Sequence, residues 1–205
     1  MTRAIPLFHQ TLETMMRVLG ADAPATLITR NNLAHAYRDA GDLDRAIPLL
    51  EQTLEDRVRV LGEDAPDTLT TRNNLAHAYQ GTGRTGDAVA LLRSVVGGRV
   101  RVLGPTHRST ADSRVGLSWT LTERGRSLLP GDCAGAWRDA AEAVQTVGPY
   151  LADNPGIYGP ALAHAYRFAA DVLDADGQSE AAAEYRQHAL YARAAAAAQR
   201  AKGHS

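Results

Sequence analysis

Cysteine is nearly missing from this sequence: Cys133 stands alone in 205 residues. No intrachain disulfide can form, so a fold stapled by bridges is excluded and a reducing compartment fits. Aromatic side chains are also scarce, at 5% of the chain, while alanine and leucine are abundant. Small side chains at the contacts let helices approach closely, so the core is expected to be helical. Neither sign of charge dominates, because 22 basic residues meet 23 acidic ones for a net charge of −1. A general binder of nucleic acid or of an anionic membrane needs a basic excess, so neither partner is expected. Met1 to Gly20 holds no apolar run long enough for a signal sequence, and Ala194 to Ala198 is too short to span a membrane. The chain reads as soluble and cytoplasmic.

The spacings that carry chemistry are also missing. No His-x-x-x-His, Cys-x-x-Cys or Glu-x-x-His occurs, so no metal site is expected. Cys133 follows Asp132 at a helix start, a place that can lower a thiol pKa. It has no histidine close in sequence and is read as a buried or half-buried structural thiol. Gly-Thr-Gly-Arg-Thr-Gly at 81–86 has neither a preceding strand nor a lysine. It is therefore a loose turn rather than a phosphate loop. His107, His164, His188 and His204 are scattered and are read as structural or exposed. Nothing calls for a cofactor.

What is present is a repeat. Arg30-Asn31-Asn32-Leu33-Ala34-His35-Ala36-Tyr37 recurs letter for letter as Arg72-Asn73-Asn74-Leu75-Ala76-His77-Ala78-Tyr79, 42 residues on. Aligning Arg3–Asp44 with Arg45–Gly86 gives 28 identities in 42 positions. A third copy near 87–128 keeps Ala88, Arg101-Val102-Leu103-Gly104, Thr110, Leu117 and Gly125. It carries Val115, Gly116 and Trp119 where Asn73, Asn74 and His77 stood.

Each unit reads as two helices. The first, about 66–80, opens with Pro66 at a position where a missing N–H costs nothing. Asp67 suits its positive first turn, and Leu69, Leu75, Ala76 and Tyr79 recur at helical spacing. Gly83 then stops it. The second, about 85–103, presents Ala88, Leu91, Leu92, Val95 and Val102 on one face, and Leu103-Gly104 ends it. Gly97-Gly98 weakens it by about 1 kcal/mol per glycine. The same reading places helices near 3–19, 24–40 and 43–61. After Gly125 the period slips into a loop over 127–132. Helices then follow at 133–147, 157–175 after the break Asn154-Pro155-Gly156, and 180–202. The total is about nine helices and no strands.

The unit resembles a tetratricopeptide repeat of the long, 42-residue type found in kinesin light chains and in many bacterial proteins; the ordinary repeat has 34 residues. The match rests on Asn73-Asn74-Leu75-Ala76-x-x-Tyr79, Gly83, Ala88 and Leu61-Gly62-Glu63-Asp64-Ala65-Pro66-Asp67-Thr68-Leu69. Ala34, Ala46, Ala76 and Ala88 stand where the family's helices cross closely, and Tyr37 and Tyr79 at its packing tyrosine. A weaker unit fits through Ala170, Leu173, Gly177, Ala182 and Ala189.

The resemblance implies an all-α, right-handed α-solenoid of antiparallel helix pairs. A single array over 1–205 would comprise a lone second helix at 3–19 and units at 24–61 and 66–103. A degenerate unit at 107–148 and a last unit with a capping helix at 157–202 would complete it. Two departures stand out. The family's usual histidine before the proline is Ala23 in one unit and Ala65 in the next. The sequence also opens on a second helix, whose Leu7, Leu12, Met15 and Val18 then need a partner. A homodimer, or a preceding segment of a longer protein, would supply it.

The resemblance further implies a non-enzymatic scaffold that binds a protein or peptide in a concave groove lined by first helices. The groove positions are Asn31, Asn32, His35 and Arg38, then Asn73, Asn74, His77 and Gln80, then Trp119. An asparagine amide both donates and accepts, so it can pair with a peptide backbone. The competing reading is that these asparagines tie neighbouring helices together. His35 and His77 recur one layer apart, roughly 10 Å, too far to share a zinc. Arg17, Arg57, Arg59, Arg93, Arg99 and Arg101 form either a basic outer ridge or a solvated face answered by Glu51, Glu55 and Asp56.

Two other readings remain open. One is a self-associating regulatory module, or the tail of a signalling ATPase or transcription regulator. The other is an enzyme or accessory subunit with a pocket in 119–166, where Trp119, Cys133, Trp137, Tyr158, His164 and Tyr166 fall. No nucleophile or acid–base constellation assembles there from spacing, so no catalysis is expected.

Overall fold

The computed structural model describes residues 4–202. Among these lie nine α-helices and one short 3-10 turn, and no strand. The helices are α1 (Ala4–Leu19), α2 (Pro24–Asp39), α3 (Leu43–Leu61), α4 (Pro66–Gly81), α5 (Thr85–Leu103), α6 (Arg108–Leu128), α7 (Cys133–Val147), α8 (Pro155–Ala175) and α9 (Ser179–Lys202). They fall into two compact units, Met1–Gly104 and Pro105–Ser205.

The N-terminal unit follows its repeat closely. Pro24 and Pro66 open α2 and α4 at the first helical turn. Gly20, Gly62 and Gly104 end the second helices with φ of 90°, 89° and 88°, a left-handed conformation that only glycine adopts without cost. Ala34, Ala46, Ala76 and Ala88 are wholly buried, which lets the helix backbones approach. Leu27, Leu33, Leu50, Leu69 and Leu92 fill the remaining core. Gly98 has a packing reason. A Cβ there would stand 2.6 Å from Leu69 Cδ2 and 3.0 Å from Asp64 Oδ1. The mid-helix glycine therefore offsets its lost propensity by admitting a leucine.

Equivalent tyrosines are held by equivalent positions with different chemistry. Tyr37 hydroxyl pairs with His9 Nε2 at 2.5 Å, and Tyr79 hydroxyl donates to Glu51 Oε1 at 2.6 Å. His9 and Glu51 are one repeat apart.

In the C-terminal unit α6 and α7 pair, α8 packs on both, and α9 packs along α8. Its core is built from Val147, Tyr158, Leu162 and Ala192 on one side and Ala136, Ala140, Phe168 and Val172 on the other. Asp132 caps α7 by accepting from Gly135 N at 2.8 Å.

Several expectations change. The loop expected over 127–132 begins later, because α6 runs on to Leu128. Gly125, the counterpart of Gly41 and Gly83, is therefore helical and buried rather than a stop. Its missing Cβ would lie 2.6 Å from the Phe168 ring. That close approach lets α6 continue where its predecessors end. Helix α8 begins at Pro155, not Ile157, with Asn154 accepting from Ile157 N at 3.3 Å. The Asn-Pro-Gly run that looked like a break is an N-cap followed by proline at the first turn. On α1, Leu12 is buried against Leu33, Tyr37 and Ala46, so it needs no outside partner. Residue 3, where that helix was expected to begin, lies outside the described residues, as does His204.

Candidate functional site

The first helices of the N-terminal unit carry eight of the nine sequence-predicted site residues. The four asparagines divide into two classes. Asn31 is buried, and its Oδ1 accepts from Thr71 Oγ1 at 3.3 Å and from Asn74 Nδ2 at 3.4 Å. The first asparagine of one repeat thus meets the second asparagine of the next. Asn32 is exposed and Asn73 half-buried, and neither makes a hydrogen bond with a described residue. Asn32 and His35 line a 330 Å³ cavity with Ala4, Phe8, Ala36 and Asp39.

The histidines are tied along their own helices. His35 Nδ1 lies 3.0 Å from Asp39 Oδ2, while Arg38 Nη2 lies 2.7 Å from His35 Nε2. Arg38 also donates to Asp39 Oδ1 at 3.1 Å. His77 Nδ1 lies 2.8 Å from Gln80 Oε1. The described residues contain no group of three or more histidine, cysteine, aspartate or glutamate side chains arranged to hold a metal ion.

Arginines that the sequence reading placed outside are partly inside. Arg57 is buried, and its Nη1 donates to Asp67 O and to Thr71 Oγ1, both at 2.7 Å. It belongs to the packing between α3 and α4, not to an outer ridge. Arg59 grips Asp22 with two bonds of 3.0 and 2.6 Å and reaches Asp56 at 3.0 Å. Asp56 also accepts from buried Arg30 at 2.6 Å. These two arginines hold the Asp56 carboxyl below its usual pKa even though burial pushes it up.

The residue before each asparagine pair, Arg30 and Arg72, is buried, and its counterpart Arg114 is buried too. Sequence reasoning passed over this position because arginine reads as a surface residue. Its exact recurrence one residue ahead of the motif was the available signal. Where Asp56 stands in one unit, Gly98 stands in the next, and Arg72 turns to Ser94 Oγ at 3.0 Å.

The ninth predicted residue, Trp119, lies in the C-terminal unit. Its indole stacks on the His164 ring with centroids 3.9 Å apart and planes at 29°. Both line a cavity of about 630 Å³ with Arg167, Arg193 and Arg200, its remaining wall being alanine and Pro160. Burial, with the charges of Arg126 and Arg167, pushes the His164 pKa down to about 4. The other residues grouped in 119–166 separate. Cys133 and Trp137 line a different cavity of 330 Å³, and the half-buried thiol approaches only Val172 O, at 3.9 Å. Tyr158 lies against Tyr150 with tilted rings, and Tyr166 meets Tyr185 and His188. The three arginines of the Trp119 cavity were missed, because Arg193 and Arg200 sit in an alanine-rich helix that reads as a terminal cap.

A tetratricopeptide repeat family model matches residues 1–57 and again 29–99. Residues 1–99 are tetratricopeptide repeats. Among solved structures, this chain is similar to the nearly identical TPR-like repeats of a Podosopora anserina protein described as a kinesin light chain. The two share 25% identity over 94% of this chain and 87% of the other, with a TM-score of 0.70. BtubC (BKLC) from P. vanneervenii matches at 19% identity over 95% of this chain and 73% of its own, with a TM-score of 0.68. MamA matches at 18% identity over 98% and 94%, with a TM-score of 0.54. The last two establish likeness of fold alone. No curated protein matches the chain. The repeat type is thus kinesin light chain-like, and no helix among the described residues is long and apolar enough to cross a membrane.

Proposed function

We propose that the first-helix face of the N-terminal unit binds an extended peptide segment of a protein partner, without catalysis. The observation that carries this reading is the division among the asparagines. Asn31 and Asn74 are used up in joining α2 to α4, while Asn32 and Asn73 keep their amide donors and acceptors unpaired with any described residue. An amide left open beside a helix face can clamp a peptide backbone without reading its side chains. His77, which is exposed, and Gln80 extend the polar face on α4. The scaffold role itself follows from the repeat family.

The test begins with affinity capture of a partner and its identification by mass spectrometry. Binding of that partner is then compared across variants. The pair Asn32→Ala with Asn73→Ala is expected to weaken binding by about tenfold or more, roughly 1.4 kcal/mol, at an unchanged unfolding midpoint. Asn31→Ala is expected to lower the midpoint. Undiminished binding by the double variant refutes the clamp.

Self-association is a second reading, favoured by α1. Leu7 and Val18 are 65% and 67% exposed, and Met16 and Leu19 are exposed beside them. Light scattering decides it: a mass that stays monomeric to high micromolar concentration rules it out.

A further inference from the structure

We propose that the C-terminal unit holds a binding site of its own, the cavity between Trp119, His164 and the arginines of α8 and α9. Its ligand is a small organic anion that carries a flat ring, with the chemistry of a nucleoside phosphate.

The size of the cavity comes first. Its volume of about 630 Å³ falls within the range of small-ligand sites. Charge comes next. Three of its lining residues are arginine and none is acidic. Arg167 and Arg193 are exposed, and neither forms an ion pair with a described residue. A guanidinium presents a planar fork of donors that fits phosphate and carboxylate oxygens. Arg193 and Arg200 are seven residues apart on α9, roughly 10.5 Å along the axis. That reach matches one compact ligand with several anionic oxygens, not a long acidic chain running past the helix ends.

The histidine supplies an independent sign. His164 retains only 9% of its surface, yet its ring makes no hydrogen bond with a described residue. Its ring nitrogens are not sealed off, because the side chain lines the cavity. A ligand atom there would complete the missing bond. Burial, with the charges of Arg126 and Arg167, holds this histidine neutral near pH 7, and those two positive charges favour an anion beside it.

The ring requirement comes from Trp119. Stacking on His164 fixes the indole, and the side chain still keeps 40% of its surface open. A large aromatic held in place but uncovered is a platform on which a second flat ring can stack. Phosphate on the arginines and a base on the indole would use both halves of the wall at once.

Calorimetric titration of the full chain with ATP tests this, with tripolyphosphate and an oligoglutamate peptide as the other arms. ATP is expected to give saturable binding that weakens as salt rises. It should quench the fluorescence of Trp119 in a Trp137→Phe background, where no other tryptophan remains. Arg167→Gln with Arg193→Gln, both exposed and so tolerated by the fold, should weaken binding by about tenfold or more at an unchanged unfolding midpoint. Tripolyphosphate should bind more weakly than ATP. Asn32→Ala with Asn73→Ala should leave ATP binding as it is, which separates this site from the peptide-binding face. Four results overturn the proposal. These are no saturable heat at millimolar ATP, equal affinity in the arginine variant, equal affinity for tripolyphosphate, or binding of the acidic peptide in place of ATP.

Discussion

Gly83 and Gly125 occupy the same place in the repeat, and the two units use them in opposite ways. In the N-terminal unit Gly83 has φ of 75° just past the end of α4, with open space where a Cβ would go. In the C-terminal unit Gly125 is inside α6, with the Phe168 ring where a Cβ would go. One glycine is kept for backbone freedom, the other for lack of bulk. The difference teaches that a repeat position specifies a residue only together with the packing around it. Once Phe168 occupies the space beside Gly125, α6 can run five residues past the length of α4, from 16 to 21, and the 42-residue period is lost.

The sharpest break of this comparison falls in the slipped unit. Arg124 grips Asp139 with bonds of 2.8 and 2.5 Å, and Asp139 is buried. Asp139→Ala removes the buried carboxylate and both charge-assisted bonds and should cost about 3 kcal/mol, read as a lowered denaturant midpoint. The exposed pair Arg101–Asp64 of the N-terminal unit, broken by Asp64→Ala, should cost well under 1 kcal/mol.

Acid should also act unequally. The His164 pKa lies at about 4, below the ordinary value of 6.5. The unfolded chain therefore binds the proton first, and stability rises with pH across that window. The contribution is complete above pH 6.5 and lost as pH falls toward 4, amounting to roughly 3 kcal/mol at most. Urea denaturation between pH 7 and pH 4 should show this loss, and His164→Phe should flatten that part of the curve.

Gly125→Ala comes next, at about 2 kcal/mol, because the Phe168 ring is fully buried and cannot swing away. Gly83→Ala should cost about 1 kcal/mol through backbone strain alone. If the two cost the same, the contrast drawn between them fails.

Much of the fold was legible because it was written twice. Pro66, Leu69, Tyr79, Gly83 and Ala88 each have a physical role that recurs at 42 residues, so two copies confirm a single register. What was illegible lies where one side chain answers another far along the chain. Phe168 decides how Gly125 is used, across 43 positions that show no periodic link. Asn31 and Asn32 are neighbours with the same side chain. Only the placement of Thr71 and Asn74 turns the first toward α4 and leaves the second open. The Trp119 cavity was half legible: both rings were noted within 119–166, but the arginines that give the cavity its charge lie on α8 and α9 beyond that span.

Two smaller effects sharpen the comparison within the repeat. Asn31→Ala should cost about 1 kcal/mol through loss of the bonds to Thr71 and Asn74, visible as a midpoint shift. Asn32→Ala, with no bond to lose, should fall within about 0.5 kcal/mol of wild type. The smallest concerns helix starts. Ala23 and Ala65 offer no side-chain cap, whereas the third copy has His107, whose Nδ1 accepts from Ser109 N at 3.1 Å. Ala65→Ser should therefore stabilise the protein by about 0.5–1 kcal/mol, read by thermal unfolding.

The bond between Asn31 and Asn74 has a bearing on how such a chain can lengthen. Each 42-residue copy carries both halves of the joint, an acceptor offered to the copy after it and a donor offered to the copy before it. A duplication in frame therefore arrives with matching fittings at both ends, whichever boundary it is inserted at. Gly116, which stands at the donor's place in the third copy, has lost that fitting, and the regular series of copies stops there.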